Sequence, residues 1–360
     1  MNATTVNRVG TDISKKRIEW VDVVKFICII FVMVSHLELK TEILETFYLP
    51  FFLMGFFFVS GYVYRHRDSF SIFIAKKAKT ILLPWAIFSV FNILLSQVFS
   101  FNEHEGLLHE LFWNFMQVRG YGDEVWFLPA LFVAFIPFYF FIKWYHNSKL
   151  SQKKRVSSLL IVSLALSVLS FVYTEKGDST RFVWQSTALP WHLEYVFQAM
   201  FFMVLGFLYK EIAQEKLDRF FGFFKKALLF CVYVFIAFLP LFIDFKNNIF
   251  IYTLWLYIVQ MTGVLALVYV SKGIKSNRYI SYVGQNTLIY FALHGKVYSV
   301  IQTMLHKFAE NIYTAIMANV FVSSISAILF SLALSVILIV PAYIINRFFP
   351  FVVGKPYKKK

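Results

Sequence analysis

Stretches of about twenty mostly apolar residues recur along the whole 360-residue chain, and no other feature limits the fold as strongly. Ten such stretches are expected to span a membrane, at roughly 20–37, 47–64, 80–100, 125–142, 156–173, 190–209, 226–243, 249–270, 287–304 and 318–346. The ninth reads as beginning earlier, near Tyr279, as a less apolar helix, and the tenth is long enough to tilt. Apolar residues make up 59% and charged residues 15%, against roughly 25% charged in a soluble domain. A water-facing shell cannot be built from so few polar groups, and 45 phenylalanines exclude a disordered chain. Cys28 and Cys231 both lie in apolar runs, which suggests neither a disulfide framework nor a metal cluster. The expected class is an all-α polytopic membrane bundle of about ten helices.

The charges orient that bundle. The net charge of +15 would suggest nucleic acid in a soluble chain, but here it fits loops beside an anionic membrane face. Counting by connection, 27 of the 35 Lys and Arg residues fall on one side of the ten spans. The other side holds Lys40, Arg119, Lys176, Arg181, Lys246 and Lys307, and Lys25 and Lys296 lie inside spans. Basic loops stay in the cytoplasm, so both termini are expected there. The division that follows is a cytoplasmic tail at 1–19, a membrane domain at 20–346 and a basic cytoplasmic tail at 347–360. The N-terminal segment lacks the pattern of a cleaved signal peptide, so the first span reads as a retained anchor. The opposite face is more acidic, with Glu103, Glu105, Glu110, Asp123 and Glu124 in one connection.

Ionisable side chains inside spans are costly and mark function by default. Lys25 and His36 stand eleven residues apart, three helical turns plus about 20°, on nearly one face and about 16 Å apart along the axis. One helix face thus carries a cation low in the membrane and an imidazole near the outer mouth. The plainer alternatives are that Lys25 snorkels or pairs with Asp22, and that His36 is an interfacial histidine without chemistry. In span two, Ser60 and Gly61 form a notch among aromatics, serving either helix packing or a thin ligand chain. Trp126 opens span four at the outer interface. His192 and Glu194 open span six at the depth of His36, where a histidine–carboxylate grouping could act as a general base or be merely a solvated span end. Asn286 is placed to cap a helix starting near Thr287. His294 lies near mid-depth, either functional or satisfied by a neighbouring carbonyl, with Lys296 facing another side. No phosphate-binding glycine loop, serine elbow or His-Glu-x-x-His metal site is present, and covalent catalysis is unsupported.

In order along the chain stand Glu19-Trp20-Val21-Asp22-Val23-Val24-Lys25 and Ser35-His36, then Leu49-Pro50-Phe51-Phe52 through Ser60-Gly61-Tyr62. Lys76-Lys77-Ala78-Lys79 runs on to Leu83-Pro84-Trp85. Later come Trp126-Phe127-Leu128-Pro129, Pro190-Trp191, Phe201 to Gly206, and Val283-Gly284-Gln285-Asn286-Thr287-Leu288 to His294. Together they resemble the acyltransferase-3 family of integral membrane acyltransferases, in its branch of surface-sugar O-acetyltransferases.

The resemblance implies a multi-pass protein of a bacterial-type inner (cytoplasmic) membrane, moving an acetyl group from cytoplasmic acetyl-CoA to a hydroxyl of a cell-surface glycan or a lipid-linked sugar. Many members carry Arg where this chain has Lys25, and Lys is a point charge without the guanidinium fork. His36 is then expected as the catalytic general base, with Glu194 as its catalytic companion. Lys25, Ser60, Tyr62, Arg65, Lys76, Lys77 and Lys79 are expected to bind acyl-CoA, the loop cations taking its phosphates. Trp126, His192 and His294 are expected at the acceptor, with Tyr121 and Trp191 as further stacking aromatics. No metal, permanently bound cofactor or nucleic acid is expected; acetyl-CoA is a substrate. A transporter or flippase for a polyprenyl-linked sugar is the competing reading, and a passive assembly subunit a third.

Overall fold

Helix α1 (Glu19–Ser35) is the axis on which the bundle is built. Asp22 and nine neighbours along it are buried, among them Val23, Cys28, Ile29, Met33 and Val34. The structure is a computed structural model, and it describes residues 17–99, 106–120, 125–176 and 188–356. It is all-helical, with no strand among the described residues. After α1 come α2 (Glu42–Tyr48), α3 (Phe52–Tyr62), α4 (Phe70–Lys77), α5 (Leu83–Phe99) and α6 (Leu107–Met116). Then follow α7 (Phe127–Asn147), α8 (Gln152–Lys176), α9 (Val196–Leu208), α10 (Gln214–Phe220) and α11 (Phe223–Phe238). The chain closes with α12 (Ile249–Gly273), α13 (Arg278–Gln285), α14 (Thr287–Met317), α15 (Val320–Ile337) and α16 (Ile339–Phe348).

Eight stretches of helix are long and apolar enough to cross a membrane: Glu42–Tyr62, Phe70–Gln97, Phe127–Asn147, Gln152–Glu175, Pro190–Phe220, Phe223–Leu241, Ile249–Gly273 and Val320–Phe348. The other two expected spans are α1 and the first half of α14. Helix α1 has 17 residues and carries Asp22 and Lys25. Helix α14 carries His294, Lys296, Lys307 and Glu310. These two polar helices pack against each other, and α1 is flanked by α3, α12, α13 and α15. Their neighbours cover α1 and much of the first half of α14, so these helices need not be apolar all round.

Several boundaries differ from the expectation. Span two is two helices, α2 and α3, bent at Leu49-Pro50-Phe51. Span three begins ten residues early, because α4 runs through a π turn (Ala78–Leu82) into α5. The helix before span nine, α13, is separate, and the chain breaks at Asn286. Asn286 occupies the cap position of α14 but does not cap it. Its amide donates to the Tyr282 carbonyl at 2.8 Å and its oxygen accepts from Asn346 at 2.8 Å.

The tightest joint is the crossing of α3 and α9. A Cβ on Gly61 would sit 1.9 Å from the Met203 carbonyl oxygen, and one on Gly206 1.9 Å from the Phe58 oxygen. The helices touch backbone to backbone, which only glycine allows. Gly284 does the same for α13, where a Cβ would lie 2.4 Å from the Asp22 oxygen in α1. Gly61→Val or Gly206→Val is therefore expected to cost more than the roughly 1–3 kcal/mol of ordinary overpacking, since backbone cannot yield as a side chain does. The check is the loss of the monodisperse peak in detergent chromatography.

Candidate functional site

The spacing of α1 holds along its whole length, so Lys25 and His36 fall on one side of it at different depths. His36 is the first residue past the helix end, and its side chain is exposed. Its ring meets that of His294, with centroids 4.9 Å apart and planes at 62°. Both histidines line a polar cavity of about 260 Å³ with Glu38, Asn92, Lys296, Tyr298 and Gln302. His294 is 4% exposed, and its Nδ1 lies 2.8 Å from the Phe291 carbonyl. A carbonyl only accepts, so Nδ1 carries the proton and Nε2 is left with a lone pair. Nε2 has no hydrogen-bond partner among the described residues. A buried acceptor in that state is a ready partner for a hydroxyl.

A second cavity, of about 160 Å³, lies deeper and contains Lys25, Val32, Ser60, Phe127, Thr287 and Leu288. Phe291 lines both cavities and stands between them. The two residues of the Ser60–Gly61 notch face different ways. Gly61 packs on α9, whereas Ser60 faces this cavity with its hydroxyl donated to the Phe56 carbonyl at 2.8 Å. Asp22 is taken by Arg17 in a two-pronged ion pair, and no carboxylate of the described residues lies within ion-pairing distance of Lys25. The Lys77 ammonium sits 3.7 Å from the centre of the Phe135 ring.

The remaining residues expected at acyl-CoA separate. Arg65 joins Arg67, Lys210, His66, His146 and Glu211 around an open basin of about 480 Å³ on the side of the basic loops. The His66 and His146 rings stack at 5.3 Å and 17°. Burial holds the His66 imidazole below its ordinary range, and the neighbouring His146 and Lys143 push it further down. Lys76 is exposed and paired with Asp68 at 2.8 Å, and Lys79 is exposed. Tyr62 lines neither cavity nor basin; it packs on Trp20 and donates to Gln214 at 2.9 Å.

Glu194 and His192 come together, but they do not line the His36 cavity. His192 Nδ1 stands 3.9 Å from Glu194 Oε1, both side chains being almost fully buried. They sit on a 3-10 turn, Pro190–Tyr195, in which Trp191 and His192 have φ of 58° and 52°. Left-handed backbone at two non-glycine residues costs roughly 1–2 kcal/mol each and persists only where packing forces it. The Trp126 ring lies 5.0 Å from His192, and the series Trp126–Phe127–Phe291 links this pair to the cavities. Tyr121, Asp123 and Glu124 lie outside the described residues.

The sequence reading passed over several lining groups. Buried Asn92 donates to the Ala292 carbonyl at 2.9 Å, which fixes α5 against α14. Tyr298 accepts from the Glu38 backbone at 2.8 Å, and Gln302 and Tyr313 bond Glu38 as well. One signal was available: Phe291, His294, Tyr298 and Gln302 recur at helical spacing on one face of α14.

An acyltransferase domain model, Acyl_transf_3, matches residues 18–344, nearly the whole chain. No curated protein and no solved structure matches it. The match runs from the start of α1 into α16 and takes in both cavities, so the chain belongs to the acyltransferase-3 family and is a multi-pass membrane acyltransferase.

Proposed function

We propose that the protein moves an acetyl group from acetyl-CoA, taken from the side of the basic loops, to a sugar hydroxyl at the opposite face. The acceptor is a cell-surface glycan or its lipid-linked precursor, and the membrane a bacterial-type inner membrane. The observation that carries this reading is the pair of cavities stacked along α1, one with Lys25 and one with the His36–His294 pair. A thin, extended pantetheine arm matches the 16 Å or so between Lys25 and His36. Arg65, Arg67 and Lys210 suit the CoA phosphates, as three cations gathered around one open basin.

In this reading His36 takes the proton of the acceptor hydroxyl as its oxygen attacks the thioester carbonyl carbon. The C–S bond then breaks, and the CoA thiolate leaves and collects a proton. His294 receives a hydrogen bond at Nε2 from the acceptor or from the His36 ring, holding the reacting groups in line. Asn92, Tyr298 and Gln302 supply further hydrogen bonds to a sugar. Glu194 and His192 support the aromatic wall around Trp126 rather than the proton transfer itself.

His36→Ala is expected to lower acetyl transfer by about 10²–10⁴-fold while the protein still inserts and binds acyl-CoA. Mass spectrometry of surface glycans with and without the protein reads the transferred group directly; unchanged transfer in His36→Ala removes the base role. Lys25→Gln is expected to raise the KM for acyl-CoA more than it lowers kcat. A lipid flippase would instead show no protection by acyl-CoA at all.

The basin offers a separate check. Its His66 imidazole starts below the usual value of about 6.5, and a bound polyphosphate favours the charged ring. Adding CoA is therefore expected to move the His66 titration midpoint upward in NMR. No movement would place the phosphates elsewhere.

A further inference from the structure

An apolar groove of about 650 Å³ opens between α5, α14 and α16, within the usual size of a ligand pocket. Its walls are side chains such as Phe88, Phe91, Pro341, Ile345 and Val352. Its polar groups are Lys296 and Ser96, joined by a hydrogen bond of 2.7 Å from the ammonium to the hydroxyl. Lys296 also lines the His36–His294 cavity, so groove and cavity share this one cation. The groove has a direction. Ser96 lies nine residues, about 13 Å, along α5 from Ile87, toward the face where His36 opens. The apolar part thus descends into the membrane, and the charged end is level with the reacting histidine.

We propose that this groove holds the apolar chain of the acceptor, which is a sugar carried on a lipid phosphate, with the phosphate against Lys296. The inference rests on acyl transfer at the His36–His294 cavity and narrows its acceptor to a lipid-linked one. Charge and continuity select this occupant. An apolar chain fills the walls, an anionic head meets the ammonium, and a sugar beyond that phosphate enters the His36–His294 cavity, which shares Lys296 with the groove. A soluble glycan would use the cavity and leave the groove without a role. The acceptor reaches the site sideways from the bilayer, which requires no opening of the bundle.

Binding to the purified full-length protein, followed by native mass spectrometry, tests this with three probes: a C55 polyprenyl phosphate, the uncharged polyprenol of the same length, and phosphatidylglycerol. Polyprenyl phosphate is expected to be retained over both others. Lys296→Gln should weaken it by about tenfold and leave polyprenol unchanged. Ile345→Trp, which fills the groove, should weaken polyprenyl phosphate and polyprenol alike, and Val300→Trp does the same from the opposite wall if the first variant misfolds. Equal retention in the parent and all three variants overturns the proposal, as does phosphatidylglycerol bound as tightly as polyprenyl phosphate. Acyl-CoA protection on the same samples separates the two readings. Acyl-CoA bound without lipid phosphate defeats the groove alone, whereas lipid phosphate bound without acyl-CoA defeats acyl transfer and leaves a lipid carrier.

Discussion

The bundle depends on hiding one polar helix. Helix α1 carries an ion-paired Asp22 and the ammonium of Lys25 through the membrane interior, where exposed charge is costly. The solution is close contact: α13 rides on the Asp22 carbonyl through Gly284, and Gly55 of α3 sits against Cys28. Dispersion and backbone proximity replace the hydrophobic drive that water would supply to a soluble core. With α1 sheathed, α8, α11, α15 and α16 can turn large apolar side chains outward, among them Ile161, Leu169, Phe235, Leu329 and Val340.

What the sequence disclosed followed helical periodicity. Lys25 and Val32 share a cavity, and His36 opens the next one, because α1 is unbroken and a residue's azimuth follows from its number. The same rule parts residues that the sequence placed together. Tyr62 follows Ser60 by two residues, about 200° around α3, so the pair cannot face one cavity. Glu194 and His192 matched His36 in depth, but depth says nothing about position around the bundle, which only packing fixes. Asn286 was a reasonable cap by type, yet Tyr282 and Asn346 claim its side chain.

The basic loop after α3 read as one cluster and folds as several. Seven residues separate the end of α3 from α4, enough for the chain to turn. Arg65 and Arg67 therefore face a basin with Lys210, Lys76 returns to Asp68, and Lys77 reaches inward over Phe135. A run of like charges repels itself and spreads where partners exist. The two inward lysines have compact, mobile ammonium groups, suited to following an anion that arrives and leaves, where a guanidinium fork would fix one geometry.

Phe291 is the single side chain common to both cavities along α1. The proposed transfer from one face of the membrane to the other calls for something close to a pore. Such a passage, once filled with water, would short-circuit the ion gradients across the bilayer. In that reading the large Phe291 ring stands where the passage would narrow, between the two cavities. On the proposed function, the electrical tightness of the membrane around this protein is expected to depend on that one aromatic side chain, which is measured as ion leak in sealed vesicles independently of any transferred group.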